Sequence, residues 1–347
     1  MNFKKIASIL SVIVVTGLII YGYILYRDIF GANTKFSENE VYVYIPTDAT
    51  YDEVKNIVAP YIKDMSRFEM VATKKSYPER SDKSGRFLLK KGMNSNEIVN
   101  SLRLNVPVNL AFNNQERLEN FAGRIGSQIE ADSLSLLDAF RDKKFLEENG
   151  FTEENVLSMF VPNSYEFFWN TSAVKFRDRM AKEYRKFWTN DRLEKAKQLN
   201  LTPIQVSILA SIVHKETVKR DERPRVAGVY LNRLQRGIKL EADPTVIYAV
   251  KLKSGDFNQV IKRVLNKDLV TDSPYNTYMY QGLPPGPIAM PDITALDAVL
   301  NPEKHNYIYF CASVTNFGYH EFAVTAAQHE VNRQKYVAWV NQQGIKR

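Results

Sequence analysis

From Ile6 to Tyr26 the chain carries no charged residue, and that run constrains everything that follows it. As a helix rising about 1.5 Å per residue, it is long enough to cross a hydrocarbon core of about 30 Å. Lys4 and Lys5 precede it, whereas Arg27 behind it is offset by Asp28. The bias of positive charge toward the cytoplasm therefore places the N-terminus inside and the rest of the chain outside. Tyr21, Tyr23 and Tyr26 stand at the outer end, where aromatic rings favour the headgroup region. A cleaved export signal is the competing reading. The run is longer than the usual apolar core of about 7–15 residues, and no clear small-x-small site follows it. An uncleaved anchor is expected, with residues 1–5 cytoplasmic, 6–26 spanning an inner membrane and 27–39 a polar tether. On either reading the remaining chain works outside the cytoplasmic membrane, in the periplasmic space, where nucleotide cofactors are scarce.

The net charge of +8 over 347 residues could serve nucleic acid, anionic lipid or an acidic polymer. The basic residues come in scattered pairs, such as Lys74-Lys75, Lys90-Lys91 and Lys143-Lys144, with no basic stripe interleaved with aromatics. Nucleic-acid binding is not expected. The single cysteine, Cys311, lies in the strand-like stretch Tyr307–Ala312 and reads as a small core residue. The four histidines have no zinc-site spacing, and no nucleophile-elbow motif occurs. Neither a metal nor a cofactor is expected.

Residues 40–109 form a first module. Val41–Ile45 alternates as a strand, and Thr50 with Glu53 opens a helix with apolar positions at Val54, Ile57, Val58, Tyr61 and Ile62. A second strand is expected at 86–90 and a second capped helix from Asn94 with Glu97. Residues 110–347 are larger and mainly helical, with helices expected at 114–130, 133–147, 172–189, 203–218, 224–236 and 326–342. Strands are expected at 307–313 and 320–325. A loop-rich stretch carrying Pro274, Pro284, Pro285, Pro287 and Pro291 lies between. Loops this long inside a compact domain usually carry function. The fold class is α+β: an N-terminal transmembrane helix, a small α/β module and a larger helical domain with a few strands.

The most informative helix opens at Thr202, with Pro203 at its first position and Gln205 completing a capping box. Ile204, Val206, Ile208, Leu209, Ile212 and Val213 form a stripe, and Glu216 falls on the same face, as does Gln205. His214 and Lys215 point elsewhere. A carboxyl group in an apolar setting keeps its proton to higher pH, as a general acid requires. A paired buried acid would satisfy the same pattern. Downstream, Asp243 before Pro244 reads as a helix N-cap, and the segments Tyr275–Tyr278 and Gly282–Ile288 are rigid aromatic-containing loops suited to sugar rings.

The stretch Leu209–Thr217, with Asp243–Tyr248, Tyr275–Tyr278, Gly282–Ile288, Tyr230–Leu234, His320-x-Phe322, His329 and Val161–Phe167, resembles the endolytic murein transglycosylases, the MltG or YceG-like family. Order and spacing agree over about residues 40–340. The resemblance implies a LysM-like first module and a YceG-type catalytic domain. It implies cleavage of the MurNAc-β-1,4-GlcNAc bond of peptidoglycan to leave a 1,6-anhydroMurNAc end, with Glu216 as general acid and then base. An intramolecular nucleophile, the sugar's own C6 hydroxyl, would make a second carboxylate unnecessary. Asp243, Asn276 and Tyr278 are expected to contact substrate or orient Glu216. Thr245, Tyr248, Pro285, Tyr165 and His320 are further substrate-contact expectations carried by the matching segments. Many relatives have Glu where this chain has His214. Penicillin-binding proteins are the implied neighbours. Two rival readings stay open: a muramidase using Glu216 with Asp243, and a non-enzymatic wall-binding scaffold.

Overall fold

A computed structural model describes residues 3–342, with the side chains of residues 3–7, 25 and 28 outside that description. The chain divides into two compact units: residues 1–110 with 128–131 and 165–172, and the remainder, 111–127, 132–164 and 173–347.

The first unit begins with helix α1, Phe3–Phe30, and continues through β1, Glu40–Ile45, α2, Tyr51–Val58, α3, Met65–Lys74, β2, Gly85–Lys90, and α4, Ser95–Ser101. Most of β3, Val108–Ala111, and of β4, Ser164–Phe167, also belongs to it. β1 and β2 are antiparallel, with Val41 opposite Leu89, Val43 opposite Phe87 and Ile45 opposite Gly85. Alternation in β1 turns Val43 and Ile45 inward and leaves Tyr42 and Tyr44 outside. The inward side chains meet Val54, Val58, Phe68, Val71 and Ile98 from the three short helices in one core. Both expected capping boxes form, Thr50 with Glu53 and Asn94 with Glu97.

Part of the expected tether, residues 27–39, is fastened down at Asn33. Asn33 is fully buried, donates to Asp64 O at 2.8 Å and to Ser95 Oγ at 2.9 Å, and accepts from Asp64 N at 2.8 Å. One amide side chain thus satisfies three partners and fastens the segment to the module. The expected membrane span, residues 6–26, falls within α1. Among the described residues, no helix is long and apolar enough to cross a membrane.

The second unit holds α5, Leu118–Gly126, α6, Ser133–Phe140, α7, Lys143–Asn149, α8, Ala173–Phe187, α9, Asn190–Gln198, α10, Pro203–Glu216, α11, Arg223–Gln235, α12, Asp243–Ser254, α13, Asn266–Leu269, and α14, Ile293–Leu300. The antiparallel pair β5, Tyr309–Ala312, and β6, His320–Ala323, follows, and α15, Ala326–Gln342, packs against both strands. Phe121 sits in an aromatic cluster with Phe112, Phe140 and Phe160, at ring-centroid distances of 4.8, 5.4 and 4.4 Å.

At the centre lies α10, packed by α9, α11, α12 and α14. Every residue from Val206 to Val213 is buried, so this helix is enclosed all round rather than along the single stripe that the spacing suggested. Small residues make this possible: Ser207, Ala210 and Ser211 let neighbours approach the faces the large side chains do not occupy. Gln205 is exposed, not inward, because its side chain accepts from the backbone N–H of Thr202 in the capping box. The loop of Gly282–Ile288 is tied to the helix by Ser211, whose Oγ accepts from Ile288 N at 3.1 Å and donates to Ile208 O at 2.7 Å. Gly286 is required in that loop, since a Cβ there would stand 1.8 Å from Glu154 O.

Candidate active site

The α10 helix ends at Glu216, with Thr217 already extended, two residues before the expected end. Glu216 therefore sits where an enclosed core helix reaches a cavity of about 410 Å³. Tyr230, fully buried on α11, donates its hydroxyl to Glu216 Oε2 at 3.1 Å. Burial pushes the Glu216 carboxyl up to about 7, and the nearby Asp243 and Glu222 carboxylates add to that direction. His320 and the Tyr230 hydroxyl pull the other way without overcoming it. The C-terminal end of a helix, with its negative partial charge, also disfavours a carboxylate there. The group is thus proton-bearing near neutrality and opens onto a space a ligand could enter.

More of the cavity lining is assembled from distant segments. Arg233, three residues after Tyr230 on α11, is buried and donates Nε to Lys239 O at 2.7 Å and Nη1 to Ile308 O at 2.8 Å. Its Nη2 donates to the Glu241 carboxylate. One guanidinium thereby fixes both the turn before α12 and the start of β5. Glu241 has a left-handed backbone, φ 52°, which non-glycine residues seldom adopt. Its N–H donates to Thr277 O at 3.2 Å, Ala242 N donates to Thr277 Oγ1 at 3.0 Å, and the Thr245 and Thr277 hydroxyls lie 2.8 Å apart.

Several expected site residues take part in this bonding or lie beside it. Asn276 is fully buried and turned into its own loop, donating to Leu269 O and Thr271 O and accepting from Tyr278 N at 3.0 Å. Thr245 is likewise buried in the turn, and Tyr248 packs in the core on Tyr275 and Phe257. None of the three lines the cavity. The polar atoms of Asn276 and Thr245 are used within their own loop and turn, and the Tyr248 ring is enclosed. Tyr278 donates its hydroxyl to Asp243 Oδ1 at 2.8 Å and so orients a carboxylate that does line the cavity. Asp243 is the first helical residue of α12 rather than its N-cap, which is Ala242. Its carboxylate faces Tyr278 instead of capping. Pro285 lines a different hollow, with Ile204, Ile208 and Leu234. Tyr165 is carried by β4 in the first unit.

His320 lines the cavity beside Glu216. Its Nδ1 lies 2.8 Å from Glu222 Oε2, and its backbone N–H donates to Glu222 Oε1 at 2.7 Å. Hydrogen bonding to His320 outweighs burial and holds the Glu222 carboxyl below its ordinary range. Tyr309, Phe310, Cys311, His329, Arg333 and Tyr336 from β5 and α15 also line it. Cys311 is half-buried on the cavity wall rather than a core residue. His214 lies away from this cavity, with Nδ1 3.2 Å from Arg223 Nη2 and 3.3 Å from Asp292 Oδ2. Among the described residues no three His, Cys, Asp or Glu side chains are gathered as a metal ion would need.

Comparison with known proteins bears on this arrangement. The sequence profile of the YceG-like family matches residues 43–335. Over 134 residues, 39% of this chain, the sequence is 40% identical to the endolytic murein transglycosylase of Bacillus subtilis (strain 168), covering 35% of that protein. Over 143 residues, 41% of this chain, it is 35% identical to the endolytic murein transglycosylase of Streptococcus pneumoniae serotype 2, covering 25% of it. The chain therefore aligns with about a third or less of the length of these curated relatives. A 2.6 Å crystal structure of a yceG-like protein from Listeria monocytogenes matches with a TM-score of 0.56 at 25% identity, over 85% of this chain and 99% of that one.

Proposed function

The chain belongs to the YceG-like family, and from that premise we propose that it is an endolytic lytic transglycosylase that cuts the MurNAc-β-1,4-GlcNAc bond of peptidoglycan strands. The observation that carries this reading is Glu216, a carboxyl group held protonated by burial to about pH 7, at the mouth of a cavity, with the Tyr230 hydroxyl on one oxygen. In the first half of the reaction Glu216 gives its proton to the glycosidic oxygen as positive character develops on the sugar ring. The carboxylate left behind is stabilised by the Tyr230 hydroxyl. In the second half it takes the proton of the C6 hydroxyl, which closes the 1,6-anhydro ring. The attacking oxygen belongs to the substrate, so its entropy of approach is already spent.

A second reading, hydrolysis by a muramidase, draws on one observation. Asp243 lines the same cavity and is oriented by Tyr278, as a carboxylate that activates water would be. Mass spectrometry of fragments released from peptidoglycan separates the two. Anhydro ends that disappear in Glu216→Gln are expected. Reducing ends that depend on Asp243 would replace the first reading with the second. Wild-type cleavage by Glu216→Gln would remove both.

The finer organisation is part of the same proposal. Residues 6–26 act as a single-pass inner-membrane anchor with the catalytic unit in the periplasm. Support comes from the absence of charge in that run and from Ile9, Leu10, Val12, Ile13, Leu18 and Ile19, each more than half exposed on α1. The β1–α2–α3–β2 order supports reading this module as LysM-like, in which case it would hold glycan. Nascent strands beside penicillin-binding proteins are the substrate that such an anchored enzyme would meet.

A further inference from the structure

Among the described residues of α15 none is buried, yet the helix carries Tyr336 and Trp339. A helix face that is not packed on a core is ordinarily polar, so aromatic rings there call for a reason. His329, Arg333 and Tyr336, spaced i, i+4 and i+7, all line the Glu216 cavity and so share one face of α15. Trp339 stands about one turn beyond Tyr336, and at about 1.5 Å per residue the row from His329 to Trp339 runs about 15 Å along the helix. Arg333, in the middle of the row, is held by Glu330 through Nε at 2.7 Å and Nη2 at 2.8 Å.

Both ends of the row are aromatic. On the cavity lining, the Tyr309 ring stacks on His329 at 5.1 Å with planes 17° apart. Further along, Tyr336 and Trp339 lie 6.4 Å apart with planes inclined by only 27°. Phe317, in the turn between β5 and β6, extends the row, its ring 5.6 Å from that of Trp339. Phe317 is 65% exposed, and Trp339 is half-buried. Tyr336 belongs to the cavity lining, whereas Trp339 and Phe317 lie outside it. The row therefore begins in the cavity and continues onto the surface. Clustered exposed apolar rings, unlike isolated ones, mark a binding surface.

We propose that Trp339 and Phe317, linked to the cavity by Tyr336, form a saccharide subsite that holds the glycan strand where it leaves the cavity, away from the bond that Glu216 cleaves. The proposal rests on the reading of the cavity as a glycan site. A strand cut within its length has to leave the cavity over the protein surface. Pyranose rings have apolar C–H faces and hydroxyl rims, so an aromatic face can cover the first while water keeps the second. Aromatic side chains also have few torsions to freeze on binding. Continuity with the cavity selects the occupant, because the strand is the ligand already seated at its inner end.

Glycan strands of graded length, stripped of stem peptides, are the probe. Their binding is measured on the full chain in detergent carrying Glu216→Gln, so that the ligand is not consumed. The same chain is then given Trp339→Ala, Trp339→Phe or Phe317→Ala, and each variant is melted in parallel. Trp339→Ala should weaken affinity for long strands by about 3- to 10-fold. The loss should shrink with strand length and vanish for a disaccharide. Trp339→Phe should restore most of it. Phe317→Ala should act in the same direction by a smaller factor, and it leaves α15 itself unaltered. Long-strand affinity equal in all four chains would overturn the subsite, as would a loss just as large for the disaccharide. Self-association lost in Trp339→Ala with strand affinity intact would give the patch to a second copy of the chain instead. No strand bound by any of the chains would remove the glycan reading of the cavity itself, whereas binding indifferent to positions 317 and 339 removes only the subsite.

Discussion

At pH 7 an ordinary glutamate is ionised, whereas Glu216, pushed up to about 7 by burial, is roughly half protonated there. General acid catalysis needs the protonated form, so the rate should fall as pH rises through about 7. The Tyr230 hydroxyl donates to the carboxylate and favours the ionised state. Tyr230→Phe should therefore move that alkaline limb upward by about one to two pH units, because a hydrogen bond to a charged group contributes about 1.5–3 kcal/mol. A pH–rate profile of the two proteins checks it, and an unmoved limb would assign the limb to another group. Glu216 stood out in the sequence as a candidate because it continues an apolar helical pattern. Its partners were not: Tyr230 approaches from a second helix, and Glu222 with His320 joins segments with no local relation. That Asn276 and Thr245 spend their polar atoms locally was hidden for a related reason. Polar residues in a loop look the same in sequence whether they face a ligand or satisfy their own backbone.

Three helices that open with a capping box were readable in advance. Thr50, Asn94 and Thr202 each open a helix with the reciprocal bonds their spacing implied. The expected helix at 133–147 is instead two, because Asp142 accepts from Phe145 N at 2.7 Å and starts α7 afresh. Helix α9 was passed over because only Ala196 on it is buried, so it has no apolar stripe to detect. Strands β3 and β4, 4 residues each, are too short to show alternation. The enclosure of α10 makes its small residues sensitive. Ser211→Ala would leave the buried Ile288 N–H without its acceptor, a loss of about 1–3 kcal/mol. Thermal or urea unfolding should show that loss. Turnover should drop less than in Glu216→Gln, since the acid itself is untouched.

For the whole molecule, the two units ask different things of the chain. The first is a small βααβ core joined to α1 by the buried Asn33, and the second holds every group that lines the Glu216 cavity. If residues 6–26 anchor the protein, a chain lacking residues 1–30 should leave the membrane fraction on cell fractionation while its Glu216-dependent cleavage of isolated peptidoglycan persists. Retention in the membrane fraction would place the anchor elsewhere. Local pattern alone determined the uncharged N-terminal run, the capped helices, the β1 alternation and the acid at the end of a buried helix, because each is a property of neighbours within a few turns of chain. Only the tertiary structure decided that Tyr230 and His320 attend Glu216, that Asp243 shares its cavity, and that Asn276 and Thr245 are bonded within their own loop and turn while Tyr248 is enclosed. Those assignments depend on which distant segments close into contact, and on whether a polar atom's hydrogen bonds are already spent when they do.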